Sequence, residues 1–198
     1  VNGMMLKDKV AIVTGGTRGI GYAIVHKFLQ NGAKVVLFGS REETVAKAVA
    51  SLKEENPDWE VSGAWPKLTD AAAMADEIAK IKEKYGRIDI LVNNAGGYPK
   101  EIYKNIEHQA IKIWEWSEEQ WDQIIKTNLR IPFLVTKNVV PVMIKQGKGD
   151  IVNVSSRMGR IASQMGAYAV AKGGIVTMTK TTAIQTKEYG IKCNAVSP

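Results

Sequence analysis

The chain has 198 residues, 45% hydrophobic and 24% charged, enough for one domain with a sizeable core, and no apolar run nears the roughly 18 residues of a membrane span. Its net charge of +7 raises nucleic acid as a partner, but the lysines interleave with acids, as in SLKEEN and IKEKYG, so a solvated surface and no nucleic-acid binding are expected. The single cysteine, Cys193, excludes an internal disulfide and a multi-thiolate metal site, and His26 and His108 stand near no other metal ligand.

In chain order, KVAIVTGG is a β-branched apolar run ending in glycines and reads as a buried strand. GIGYAIVHKFLQNGA follows with helical spacing at Ile20, Ala23, Ile24, Phe28 and Leu29, stopped by Asn31-Gly32. KVVLFGS is a second strand, REETVAKAVASLKEENP a second helix, and EVSGAWPKL a weaker third strand. TDAAAMADEIAKIKEKYG is a helix capped by Thr69 or Asp70, and IDILVNNAGG is the fourth strand. A long helix then runs from the cap Ser117 to Gly147, with Pro132 tolerated only at a local break. DIVNVSS is a fifth strand, GAYAVAKGGIVTMTKTTAIQTKEYG another long helix, and IKCNAVSP a sixth strand. Strict alternation predicts a parallel sheet with helices on both faces, a doubly wound α/β fold of the Rossmann type. No repeat, linker or signal-like segment appears. A single domain over 4–198 and a cytoplasmic location are therefore expected, with residues 1–3 read as a cloning remnant before Met4.

Three loops carry chemistry on one rim, because ligands bind at the carboxyl ends of strands in such sheets. In TGGTRGIG, Gly15 permits a sharp turn, and Gly19 and Gly21 leave room for a pyrophosphate to meet the exposed N–H groups of a helix start. In NNAG, two adjacent amides can bond the backbone of neighbouring strands, while Ala95 and Gly96 leave a flat floor. VNVSS delivers Ser155 and Ser156 to the same rim. YAVAK places Tyr168 and Lys172 on one helix face, which alone could be a half-buried Tyr beside a solvated Lys. No Ser-His-Asp arrangement is evident, since neither histidine lies at a strand's carboxyl end.

TGGTRGIG, NNAG, TNL, VNVSS, YAVAK and NAVSP, in that order, resemble the classical subtype of the short-chain dehydrogenase/reductase family from Leu6 to Pro198. The first half, with LFGSREETV and EENPDWEVSG, is similar to bacterial hydroxysteroid dehydrogenases acting on bile acids. The resemblance implies hydride transfer between a nicotinamide cofactor and an alcohol or ketone, such as a hydroxysteroid or 3-oxoacyl thioester. It implies Tyr168 as general acid or base. Lys172 would favour the phenolate and hold the nicotinamide ribose. A serine would polarise the substrate oxygen, and Asn128 would bind a water that links Lys172 to solvent. Cofactor contacts are implied for Gly15, Thr17, Arg18, Gly19, Ile20, Gly21, Leu68, Asn94, Ala95 and Gly96, with Tyr168 and Lys172. Homodimers or homotetramers through the helices near 117–146 and 166–189 are implied as well.

The chain departs from the family pattern in several places. The motif points to Ser156 as the catalytic and substrate-binding serine, whereas the family's usual spacing to the tyrosine points to Ser155; a one-residue deletion in RMGRIASQMGA reconciles them, and Ser156 is preferred. Lys67 stands where an acid usually bonds adenine, which leaves the backbone of Leu68. Gly39 stands where an NAD-preferring member presents an acid, while Ser40, Arg41 and Arg18 can meet a 2′-phosphate, so NADP(H) is expected over NAD(H). The segment between Gly96 and Trp121 is unusually long and holds Tyr98, Tyr103, Trp114 and Trp116, which suits local packing, a substrate lid or a subunit interface. The family continues beyond NAVSP through a mobile loop and a seventh strand, so the sequence reads as truncated before that strand. A cofactor-binding module without catalysis is the alternative expectation.

Overall fold

The computed structural model describes residues 4–98, 111–161 and 163–198. The β-branched run Val10–Thr14 forms β1, buried at every residue as a central parallel strand requires. It is followed by α1 (Gly19–Gln30), β2 (Lys34–Phe38), α2 (Glu42–Glu55), β3 (Val61–Ala64), α3 (Ala71–Tyr85) and β4 (Ile90–Asn93). After the segment beginning at Ile111 come α4 (Glu118–Ile125), α5 (Ile131–Gln146), β5 (Gly149–Val154), α6 (Gly166–Thr186) and β6 (Ile191–Val196). Asp70 rather than Thr69 caps α3, its carboxylate accepting from Ala72 N at 2.9 Å and Ala73 N at 3.0 Å. Ser117 caps α4 in a capping box with Gln120.

The strands form one parallel sheet in the order β3-β2-β1-β4-β5-β6. The order reverses at β1, which pairs with both β2 and β4, so the connections leaving these strands diverge and open a crevice at their carboxyl ends. Helices α3 and α5 bury Met74, Ile78, Val135, Val139 and Met143 against Phe38, Leu91 and Ile151 on one face. Helices α1 and α2 bury Val25, Leu29, Val45 and Leu52 against Val13, Val35 and Leu37 on the other. Each such side chain contributes roughly 1.5–3 kcal/mol on burial, so the two faces hold the sheet rigid beneath the crevice. At the opposite end of the sheet, Asp89 accepts from Val10 N at 2.9 Å and pairs with Arg87, locking β4 to β1. Among the described residues no helix is long and apolar enough to cross a membrane.

The expected break near Pro132 takes a specific form. Between α4 and α5 the helix widens into a π turn over Lys126–Arg130, and the N–H of Ile131 reaches back to the carbonyl of Lys126. Pro132 lies four residues beyond Asn128 and has no N–H to give the Asn128 carbonyl, so the ordinary helical ladder cannot continue through this point.

Candidate active site

The crevice is a cleft of about 700 Å³. One wall is the β1–α1 loop, where Gly15, Thr17, Arg18, Gly19, Ile20 and Gly21 line it. Gly21 lies so close beneath Gly15 that an added β-carbon would fall on the Gly15 carbonyl oxygen. The first turn of α1 has no acidic residue, and Arg18 at its cap position makes no side-chain hydrogen bond to the helix, so the helix start keeps its free N–H groups and positive end. A tight glycine cradle with an uncapped helix N-terminus suits an anion, and it fits the pyrophosphate of a dinucleotide.

The floor is built by β4. Thr14 Oγ1 accepts from the backbone N–H groups of Asn94 at 3.0 Å and Ala95 at 2.9 Å. Asn94 donates from Nδ2 to the carbonyls of Thr14 at 3.1 Å and Gly15 at 3.2 Å, tying floor to wall. Asn93 differs from expectation. It bonds side chains rather than backbone, donating to Thr136 Oγ1 at 3.0 Å and Asn153 Oδ1 at 2.8 Å. Asn153 in turn donates to Thr179 Oγ1, so a buried polar row links β4 and β5 to α5 and α6 under the floor.

The second wall holds Tyr168, Lys172, Ser155 and Ser156. Lys172 is buried, 4% exposed, and its Nζ donates to Val154 O at 2.9 Å. Burial lowers its pKa to about 8, because the low-dielectric wall disfavours the charged form. Its Nζ also lies 5.7 Å from the centroid of the Tyr168 ring. A β-carbon on Gly96 would stand 3.3 Å from that Nζ and 2.8 Å from Asn128 Oδ1, so a bare glycine keeps the floor open at the lysine. The two serines are separated by their bonding. Ser155 is buried and gives its hydroxyl to Lys172 O at 2.8 Å. The Ser156 oxygen accepts from Met158 N at 3.2 Å, which leaves its proton to be donated into the cleft.

Asn128 is wholly buried and does not line the cleft. Its Oδ1 accepts from Gly97 N, and its Nδ2 donates to Gly97 O and to Ile124 O. The side-chain amide is thus committed to Gly97 and Ile124, and the Asn128 backbone carbonyl is the one to which Pro132, four residues on, has no N–H to give. Ser40, Leu68, Asn94, Ala95 and Gly96 line the cleft as expected, whereas Arg41 lies outside its lining, exposed at the cap position of α2. Lys67 is exposed outside the lining too. Gly39 does line the cleft, but its Cα is hemmed in: a β-carbon would meet Val45 Cγ2 at 2.5 Å and Thr17 Cγ2 at 2.7 Å. A side chain placed there would require the Val45 and Thr17 methyls to shift.

Sequence reasoning missed Thr14 as the clamp of the floor, and Gly97, Thr127, Ile131 and Val154 as lining. A hydroxyl at the carboxyl end of a buried strand was the available signal for Thr14. Of the aromatic segment, Tyr98 and Trp116 are partly buried beside Ala167 and Tyr168, whereas Trp114 is 76% exposed. Tyr103 and His108 lie outside the described residues.

This arrangement has clear relatives. The short chain dehydrogenase family matches residues 9–198. The chain is 41% identical over 196 residues to a 3alpha-hydroxysteroid dehydrogenase of Mediterraneibacter gnavus, covering 98% of this chain and 74% of that protein. It is 39% identical to a 3-oxoacyl-acyl-carrier-protein reductase of Thermotoga maritima, covering 98% of this chain and 75% of that one. Among solved structures, NAD+-bound xylitol dehydrogenase superposes with a TM-score of 0.86 at 29% identity, covering 98% of this chain and 71% of that chain. The chain therefore belongs to the short-chain dehydrogenase/reductase family, the NAD(P)-dependent oxidoreductases that act on CH–OH and keto groups.

Proposed function

We propose that the protein interconverts an alcohol and a ketone with NADP(H) in preference to NAD(H), using Tyr168, Lys172, Ser156 and Asn128. The observation that carries this reading is that Tyr168 and Lys172 line the same cleft as the uncapped glycine loop, across the Gly96 floor. When bound, the nicotinamide cofactor supplies or accepts the hydride at the substrate carbon. In the reducing direction the Tyr168 phenol gives its proton to the substrate oxygen, while the Ser156 hydroxyl donates a hydrogen bond to that oxygen. In oxidation the phenolate takes the alcohol proton. Lys172 stabilises the phenolate by its charge and is the group that a ribose would draw away from Val154 O. The backbone carbonyl of Asn128, to which Pro132 has no N–H to give, would hold the water through which the proton is restored.

The cofactor preference rests on the lack of a carboxylate at Gly39, on Ser40 and Arg18 in that end of the cleft, and on Arg41, next to Ser40 but outside the lining. Substrate class follows similarity alone: a hydroxysteroid or a 3-oxoacyl thioester, after the two relatives named above. A single domain, a cytoplasmic location and a homodimer or homotetramer complete the reading. Phe133 on α5 and Ile184 on α6 are 47% and 79% exposed, which supports pairing of copies through these helices.

The test is ketone-dependent oxidation of NADPH and NADH with a 3-oxo steroid and a 3-oxoacyl thioester. Turnover with NADPH at the higher specificity constant is expected. Cofactor binding without turnover of either compound would overturn the reading.

A further inference from the structure

The residue after the floor glycines is Tyr98, and three separate contacts fix it. Gly97, at φ 121°, sits in a region that favours glycine, and both its N–H and its carbonyl are bonded to the Asn128 amide at 2.7 and 2.8 Å. The Tyr98 backbone therefore leaves from a fixed point. At the far end of the side chain, the Tyr98 hydroxyl donates to Met165 O at 3.0 Å, at the start of the helix that carries Tyr168. Between these ends, its ring stacks on the Tyr168 ring with centroids 4.9 Å apart and an interplanar angle of 26°. Ile124, Ala167, Trp116 and Trp121 pack in the same cluster.

We propose that Tyr98 is a positioning residue for the Tyr168 phenol, an inference that rests on the proposed role of Tyr168. A tyrosine ring swings about its side-chain bonds, and small swings at the ring move the hydroxyl most. The pinned Tyr98 ring restricts that swing on one side, so the phenol oxygen stays where a substrate oxygen must meet it. Tyr98 does not compete for the proton. Burial, and after it the charge of Tyr168, push its phenol up to about 12, so it remains a neutral donor to Met165.

The experiment compares the parent, Tyr168→Phe, Tyr98→Phe and Tyr98→Ala in steady-state reduction of ethyl acetoacetate and a 3-oxo steroid with both reduced cofactors. Cofactor binding is followed by fluorescence titration. Tyr98→Ala should lower kcat about 10-fold or more, with KM changed less than about 2-fold and cofactor binding retained. Tyr98→Phe, which keeps the ring and loses only the bond to Met165, should restore kcat to within about 3-fold of the parent. A parent-like kcat in Tyr98→Ala, or a loss in Tyr98→Phe as large as in Tyr98→Ala, overturns the inference while an inactive Tyr168→Phe leaves the function standing. Parent-like turnover in Tyr168→Phe, or no turnover by the parent, overturns the function and this inference with it.

Discussion

Asn128 grips Gly97 from both sides, accepting its N–H at 2.7 Å and donating to its carbonyl at 2.8 Å. The clasp joins the break in the long helix to the floor of the cleft, so one buried amide sets both. Asn128→Ala removes three hydrogen bonds and leaves a cavity. Loss of about 2–4 kcal/mol in urea unfolding is expected, with a larger fractional loss of activity than of cofactor affinity. A loss below about 0.5 kcal/mol would show that the clasp carries little stability.

Lys172 is held in the wall at a cost. Its pKa falls to about 8 from an ordinary 10.5, so between those values the unfolded chain binds more protons and stability rises with pH. The cost is fully present below about pH 8 and fades towards 10.5. Lys172→Met should therefore unfold at higher denaturant at pH 7, by about 1–3 kcal/mol less whatever the lost Val154 bond contributed, and the gain should shrink at alkaline pH. Activity should be lost at the same time. A variant less stable than the parent at pH 7 would contradict this balance.

Much of this was legible in sequence, for identifiable reasons. Alternation of β-branched runs with 3.6-period helices gave the sheet and its layers, because each element buries its own apolar face. Tyr168 and Lys172 were legible because a helix converts their spacing into one face. What escaped were contacts between residues far apart in the chain. Nothing near Asn128 in sequence says that its amide closes on Gly97. Nothing near Gly39 says that Val45 and Thr17 fill the space a side chain would need. Ser155 and Ser156 look alike in a motif and differ only in which carbonyl or amide each meets.

The glycine loop makes a sharp steric prediction. In Gly21→Ala the new methyl would meet the Gly15 carbonyl and lie 2.5 Å from Asn94 Nδ2, and neither backbone nor clamp can yield cheaply. Cofactor affinity should fall about 10-fold or more, with about 1–3 kcal/mol of stability lost to overpacking. Fluorescence titration reads the first and urea unfolding the second. Unchanged affinity would mean that the cradle does not hold the pyrophosphate.

Cofactor preference is best tested away from Gly39, where an introduced side chain would also press on the Val45 and Thr17 methyls and confound selection with repacking. Arg18→Ser and Arg41→Ser together should raise the KM for NADPH about 10-fold and leave that for NADH within about 2-fold. Equal effects on both cofactors would show that neither arginine reads a 2′-phosphate.

The central claim is that the Tyr168 hydroxyl moves the proton. Tyr168→Phe removes one oxygen and keeps the ring that stacks on Tyr98 and faces Lys172. The decisive measurement is the ketone-dependent oxidation of NADPH by this variant beside the parent, with cofactor binding measured in both. A fall in kcat/KM of about 10²-fold to 10⁴-fold with cofactor binding intact is the predicted result. Equal turnover by the two proteins would contradict the account.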